Sequence, residues 1–159
     1  FMFIMRTTTN GMPRYNKNGE FNNSFHITRN GIEPKALEKI VYDWSSVLKL
    51  NKVKFICCSC QDIKPGKNDY VYLDPPYAKT KGMYYGAINY EQLWEWIRNL
   101  PCKYSLSFDG ISGKTDNTYD VPDDIYDKHI YLVSGNSSFK RIVGQSKDNI
   151  VYESLYVKL

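Results

Sequence analysis

The run Val71, Tyr72, Leu73, Asp74, Pro75, Pro76, Tyr77 places a carboxylate, two prolines and an aromatic ring at the carboxyl end of a hydrophobic strand. In open α/β sheets that end is where ligands bind. Proline lacks a backbone donor, fixes its own φ and restricts the residue before it, so the carbonyls of Asp74 and Pro75 are held in direction. The ionised Asp74 carboxylate only accepts hydrogen bonds, and Tyr77 offers a flat face. A carboxylate and a carbonyl converging on one point form a receptor for an amino group with two hydrogens, stacked against the ring. An exocyclic amine such as adenine N6 is a poor nucleophile because its lone pair is delocalised into the ring. Two acceptors placed tetrahedrally around it draw the lone pair out of conjugation and aim it at an electrophile, which is catalysis by positioning and electrostatics without a covalent intermediate. The same residues also suit an Asp-capped turn stiffened by Pro and Tyr; the strand before them and the Tyr after them favour a site.

Elements with their own signatures must position this run. From Glu33 onward, Leu37, Ile40, Val41, Trp44, Val47 and Leu48 recur at steps of three and four, which predicts a helix carrying them all inward, with Pro34 in its first turn. Val53 to Cys58 and Tyr70 to Leu73 read as buried strands bounded by polar turns. A second helix starts at Asn89, a cap with Gln92 as its reciprocal partner, and carries Leu93, Trp94, Ile97 and Leu100 before Pro101. A strand from Lys103 to Phe108 follows, then a long loop over residues 109 to 128. Ile130 to Ser134 and Ile150 to Val157 form a closing antiparallel pair. Upstream, Thr7 to Gly31 is a structured loop region dense in Asn, Gly and Pro. The order predicts an α/β sheet, parallel in the middle with an antiparallel edge and an antiparallel C-terminal hairpin.

The chain has 159 residues, 21 basic against 17 acidic, for a formal charge of +4. That length suits one core. A mean hydropathy of −0.51 and the lack of a long apolar run argue against a membrane partner. Phe1 to Met5 is apolar but too short for a secretory or spanning segment. Aromatics reach 15%, 14 of them Tyr, which suits either core and interface packing or a surface that stacks on bases. Cys57, Cys58, Cys60 and Cys102 lack the paired CxxC spacing of a zinc site, so no metal is expected and reduced thiols in a cytoplasmic setting are. His26 and His129 receive no chemistry.

DPPY after a hydrophobic strand resembles the catalytic motif of S-adenosylmethionine-dependent amino-methyltransferases, and a second block narrows the resemblance. Asn10, Gly11, Met12, Pro13, Arg14, Tyr15, Asn16, then Gly19, Glu20, Phe21, Asn22 and Phe25 are similar to the block upstream of DPPY in the Dam-type (D12 class) DNA adenine N6-methyltransferases. Phe55 to Asp62 is similar to the strand before DPPY, which ends in an acidic residue near the cofactor's adenine. Asn136 to Arg141 and Val151 to Leu155 look like the closing hairpin. The resemblance implies a partial Rossmann-like methyltransferase sheet. Residues 1–32 would be a loop-rich target-recognition or DNA-contact segment, and 33–159 the catalytic portion.

It further implies methyl transfer from S-adenosylmethionine to N6 of an adenine flipped out of duplex DNA, in a cytoplasmic enzyme of bacterial or phage origin. Asp74, Pro75, Pro76 and Tyr77 would be catalytic, and Phe55, Asp62 and Asp74 would bind the cofactor. Asn10, Met12, Arg14 and Asn16 would contact DNA; Arg14 matches a position that reads a guanine edge, though a phosphate contact or a surface ion pair would also suit it. Lys79, Lys81, Lys140 and Arg141 could neutralise phosphates or only be solvated. Thr9 stands where the family has a wedging aromatic and Ser24 where it has a proline, which leaves the recognition sequence open. The lysine-containing segment and Gly-rich FxGxG turn of the family do not occur upstream of residue 10. The chain is therefore expected to be the C-terminal portion of a larger enzyme, completed by a missing N-terminal portion or a second copy. An RNA base amino-methyltransferase and a non-catalytic nucleic-acid-binding remnant are the alternatives.

Overall fold

The computed structural model describes residues 2–11, 14–28, 30–77, 88–136 and 150–159, with Asn10 and Asn136 described in backbone alone. The chain divides into two compact units, residues 1–57 and 58–159.

The first unit opens with a short helix, α1 (Met2–Thr7), which the sequence reading did not expect, and a 3-10 turn at Thr9–Gly11. The polar stretch after it is ordered by its own backbone. Bridges pair Thr8 with Phe25 and Tyr15 with Phe21, and the His26 amide donates to the Thr7 carbonyl at 2.8 Å. A 17-residue helix, α2 (Pro34–Leu50), starts at the expected place. The Glu33 carboxylate accepts from the amides of Lys35 and Ala36, which satisfies two donors that a helix start leaves open.

The fate of the apolar stripe on α2 corrects the sequence reading. None of its residues is buried, and Trp44 is 63% exposed. Periodicity fixes which residues share a face, but burial needs a partner element, and none covers this face among the described residues. A second correction concerns Val53 to Cys58, which forms no strand and leaves Phe55 at 82% exposure. An apolar β-prone run becomes a strand only when a neighbour takes its backbone hydrogen bonds.

The second unit is a six-stranded mixed sheet covered on one face by a helix. β1 (Tyr70–Leu73) pairs in parallel with β2 (Lys103–Phe108), and α3 (Tyr90–Arg98) lies on the crossover between them. β6 (Ile150–Lys158) runs antiparallel to β2 and to β5 (Lys128–Asn136). β6 also meets β3 (Ile111–Ser112), which pairs with β4 (Thr115–Asp116). The expected loop over 109 to 128 thus contains two short strands and a 3-10 turn at Asp123–Ile125. The parallel pair also lies at one end of the described sheet and not in its middle, because a single strand–helix–strand unit is present and β6 inserts antiparallel beside it. β1 is correspondingly less buried than expected, with Tyr70 and Tyr72 about three-fifths exposed at 59% and 62%.

Alternation along β2 sorts its side chains. Tyr104, Leu106 and Phe108 join Leu93, Trp94 and Ile97 of α3 in the core, while Ser105 and Ser107 project from the opposite face. Asn89 caps α3 by accepting from the Gln92 amide at 3.1 Å, and Arg98 at its other end holds Asp124 through two nitrogens. Where β2 ends, Gly110 runs so close to β6 that a Cβ there would lie 2.3 Å from the Tyr152 carbonyl oxygen, so only glycine fits. Phe108 is fully buried and its ring meets those of Tyr77, Tyr90, Trp94 and Tyr119. Phe108→Ala is expected to destabilise the fold by about 3–5 kcal/mol, read from the midpoint of urea unfolding. A loss under about 1 kcal/mol would mean that this ring is not the centre of the core.

Candidate active site

Parallel pairing sets the site. The register Leu73↔Leu106 puts Asp74, the first residue past β1, beside Ser107 on the adjoining strand. The Ser107 hydroxyl donates to Asp74 Oδ1 at 2.8 Å and lies 3.2 Å from the Leu73 carbonyl oxygen. A hydroxyl has one proton, and the shorter, charged acceptor takes it. The Tyr72 hydroxyl donates to Ser107 from the other side at 3.1 Å. Ser107 is 4% exposed, whereas Asp74 is exposed at the strand end. One carboxylate oxygen is thus tied to the sheet while the group as a whole reaches solvent.

The rest of the motif is anchored to the helix side. Tyr90, the first residue of α3, donates its hydroxyl to the Pro76 carbonyl at 2.8 Å. Tyr77 lays its ring against Phe108, with centroids 6.2 Å apart and planes 26° from parallel. Burial pushes the Tyr77 phenol up to about 12, with the Glu153 and Asp74 carboxylates adding to the shift and a Ser107 hydrogen bond opposing it. Around neutral pH this ring is therefore an uncharged platform. Both Tyr90 and Ser107 escaped the sequence reading. A visible signal for Ser107 was a pair of serines alternating with apolar residues inside the run KYSLSF, since a hydroxyl in a central strand needs a partner.

Phe55 belongs to the first unit, as a largely exposed ring in the strandless segment. Asp62, in the second unit, is the exposed last residue of a 3-10 turn at Cys60–Asp62 and carries no ion pair among the described residues. Arg14 is exposed and also without an ion pair among those residues; its backbone carbonyl accepts from the Asn22 amide. The Asn16 side chain is occupied within its own turn, accepting from the amides of Asn18 and Glu20 and donating to the Glu20 carboxylate at 2.7 Å. Asn10 lies in the 3-10 turn Thr9–Gly11. Met12, Lys79, Lys81, Lys140 and Arg141 lie outside the described residues. All four cysteines are free thiols, and no group of three metal-binding side chains assembles among the described residues. No described helix is long and apolar enough to cross a membrane.

The tyrosine environment can be measured. Because the folded chain favours the neutral Tyr77 phenol, this group contributes stability that is fully present below its ordinary value of 10 and is lost as pH rises through about 12. Absorbance titration should therefore show a late tyrosine phase near pH 12, shared with Tyr104, which burial raises to about 12 as well. Tyr77→Phe should reduce that phase. A late phase of unchanged amplitude would place the Tyr77 hydroxyl in ordinary solvent.

Two comparisons with known proteins bear on this arrangement. Over 74 residues, 45% of its length, the chain is 35% identical to the type II methyltransferase M.FokI of Planomicrobium okeanokoites, and that match spans 11% of the relative. The family model of the D12 class N6 adenine-specific DNA methyltransferases matches residues 1–150, which include the upstream block, the DPPY strand and most of the sheet. The chain belongs to the D12 class N6 adenine-specific DNA methyltransferase family.

Proposed function

We propose that this chain carries the base-binding and catalytic portion of an enzyme that methylates N6 of an adenine flipped out of duplex DNA. One observation carries the reading: an exposed Asp74 carboxylate at the end of a parallel strand, with one oxygen fixed and the proline loop after it pinned. The free carboxylate oxygen and the Pro75 carbonyl accept the two N6 hydrogens. This arrangement weakens conjugation of the lone pair with the purine and gives it a direction. Tyr77, held against Phe108, stacks on the base. Flipping is needed because an adenine inside the duplex cannot reach these acceptors.

S-adenosylmethionine, when bound, supplies a methyl group on a sulfonium centre. Taken one by one, the residues proposed to hold it suit a cationic nucleoside in chemistry: Asp62 and Asp74, in the second unit, offer exposed carboxylates, and Phe55, in the first, has an apolar ring left to water. Residues 1–32 form the target-recognition segment in this reading, with Arg14 on a base edge and Asn10, Met12 and Asn16 as further DNA contacts. The lysines at 79, 81 and 140 and Arg141 contribute phosphate contacts. The chain works together with further polypeptide, an N-terminal portion or a second copy. The apolar face of α2, uncovered among the described residues, and the strandless Val53 to Cys58 run support this, since each is built to pack against a neighbour. Likeness to a type II methyltransferase supports a place in a restriction-modification system.

Asp74→Ala is expected to abolish transfer of labelled methyl groups to adenine-containing duplexes while leaving DNA affinity nearly unchanged. Substantial remaining transfer would sink the mechanism. Arg14→Ala should relax discrimination at one base pair by about 1–3 kcal/mol, seen by comparing binding to a panel of single-pair variants. An equal loss on every duplex would instead assign Arg14 to the phosphate backbone.

A further inference from the structure

Three hydroxyl groups and one carboxylate meet at the end of β1. Ser107 stands at the centre, buried to 4% exposure on the face of β2 opposite α3. Its oxygen accepts from the Tyr72 hydroxyl, its proton goes to Asp74 Oδ1, and the Tyr77 hydroxyl lies within its hydrogen-bonding reach. The order of donation is set by chemistry. Ionised Asp74 can only accept, so Ser107 must donate to it, and Tyr72 must then donate to Ser107. The side chain of Asp74 is otherwise exposed and follows the last residue of its strand, so nothing in the β ladder fixes its rotamer.

We propose that Ser107 is the positioning residue for Asp74: its hydroxyl, oriented by Tyr72, holds Oδ1 against the sheet and leaves Oδ2 turned outward to the amino group of the substrate base. This inference rests on the functional reading above for what Oδ2 meets, but the hydrogen-bonded arrangement stands apart from it. Ser107 touches no substrate and acts through Asp74. An unheld carboxylate spreads over several rotamers, and each departure from the productive one lowers the fraction of bound adenine that is aimed correctly. That loss falls on turnover. Binding of the duplex, made by many contacts elsewhere, is left nearly as it was.

The test combines crystal structures of the full chain, wild type and Ser107→Ala, with steady-state methylation of an adenine-containing duplex. The expected result is a single Asp74 rotamer bonded to Ser107 in the wild type and several rotamers in the variant. Turnover number should fall about 10- to 100-fold, the range typical for loss of a group that orients a reacting one, with KM for the duplex changed less than about twofold. Tyr72→Phe keeps an exposed ring in place and removes only the outer donor, so it serves where Ser107→Ala perturbs folding. It should lower kcat several-fold, again at constant KM. A Ser107→Ala enzyme with wild-type kcat, or with Asp74 held in its original rotamer, overturns the proposal. So does a loss expressed only in KM. A wild-type chain whose Asp74 is bonded to Ser107 but which transfers no methyl group when assayed together with the polypeptide that completes it overturns the functional reading and leaves the positioning role standing.

Discussion

The parallel pairing of Tyr70–Leu73 with Lys103–Leu106 is the constraint on which the site depends. Parallel strands cannot be joined by a tight turn, so the chain must cross over, and α3 covers the sheet as it does so. The same register that buries Leu73 and Leu106 carries the backbone one step further on each strand, to Asp74 and Ser107. A shift of one residue would turn each side chain to the other face, exposing Phe108 and burying the serines against α3. Core packing and site geometry are therefore one choice of register, and the apolar side chains of β2 enforce the placement of a polar pair on the opposite face.

Around that pair, the structure separates what must be rigid from what must be reachable. Phe108 serves the core by its burial and the site by lying under Tyr77. Tyr90 caps the arrangement from the helix side, with its ring against Tyr119 at 4.9 Å and its hydroxyl on Pro76. Aromatic side chains suit this double duty because they bury a large area with few rotatable bonds while keeping one polar atom for a specific partner. Burial also raises the phenols of Tyr77 and Tyr90, which keeps both hydroxyls protonated well above neutral pH.

Legibility in the sequence followed the range of the interactions involved. Local signals gave α2 with Pro34 in its first turn, the Asn89 cap, β2 and the terminal strand pair, because capping and periodicity are settled within a few residues. Asp74 and Tyr77 were legible because proline leaves a mark that is local as well. For Ser107 the alternation in KYSLSF marks a hydroxyl that needs a partner, but not which one, since that partner lies 33 residues away and only the register supplies it. Nor could sequence reveal the short strands inside 109 to 128, whose two-residue length lies below any periodicity. Most instructive is the run Val53 to Cys58: its composition is that of a strand, yet its Phe55 and Ile56 are exposed. Composition states what a segment can pair with, while the presence of a neighbour decides whether it does.

The same distinction explains why the two faces of the chemistry are unequally built within this chain. On the proposed reading, an amino group is held by acceptors that need fixing to within a fraction of an ångström, and the groups that fix them belong to adjacent strands and the helix between them, all inside residues 58–159. Its supporting contacts reach from Tyr72 through Ser107 to Asp74 and from Tyr90 to Pro76, all within that unit. The residues assigned to the cofactor stand differently. Phe55 and Asp62 flank the division between the two units, and neither is held by a side-chain hydrogen bond or ring contact among the described residues. A stacking ring without a supporting wall has lost most of the dispersion that makes stacking worthwhile. On the proposed reading, the contacts around Asp74 lie within the chain as it stands, whereas Phe55 and Asp62 would need further contacts to hold a cofactor.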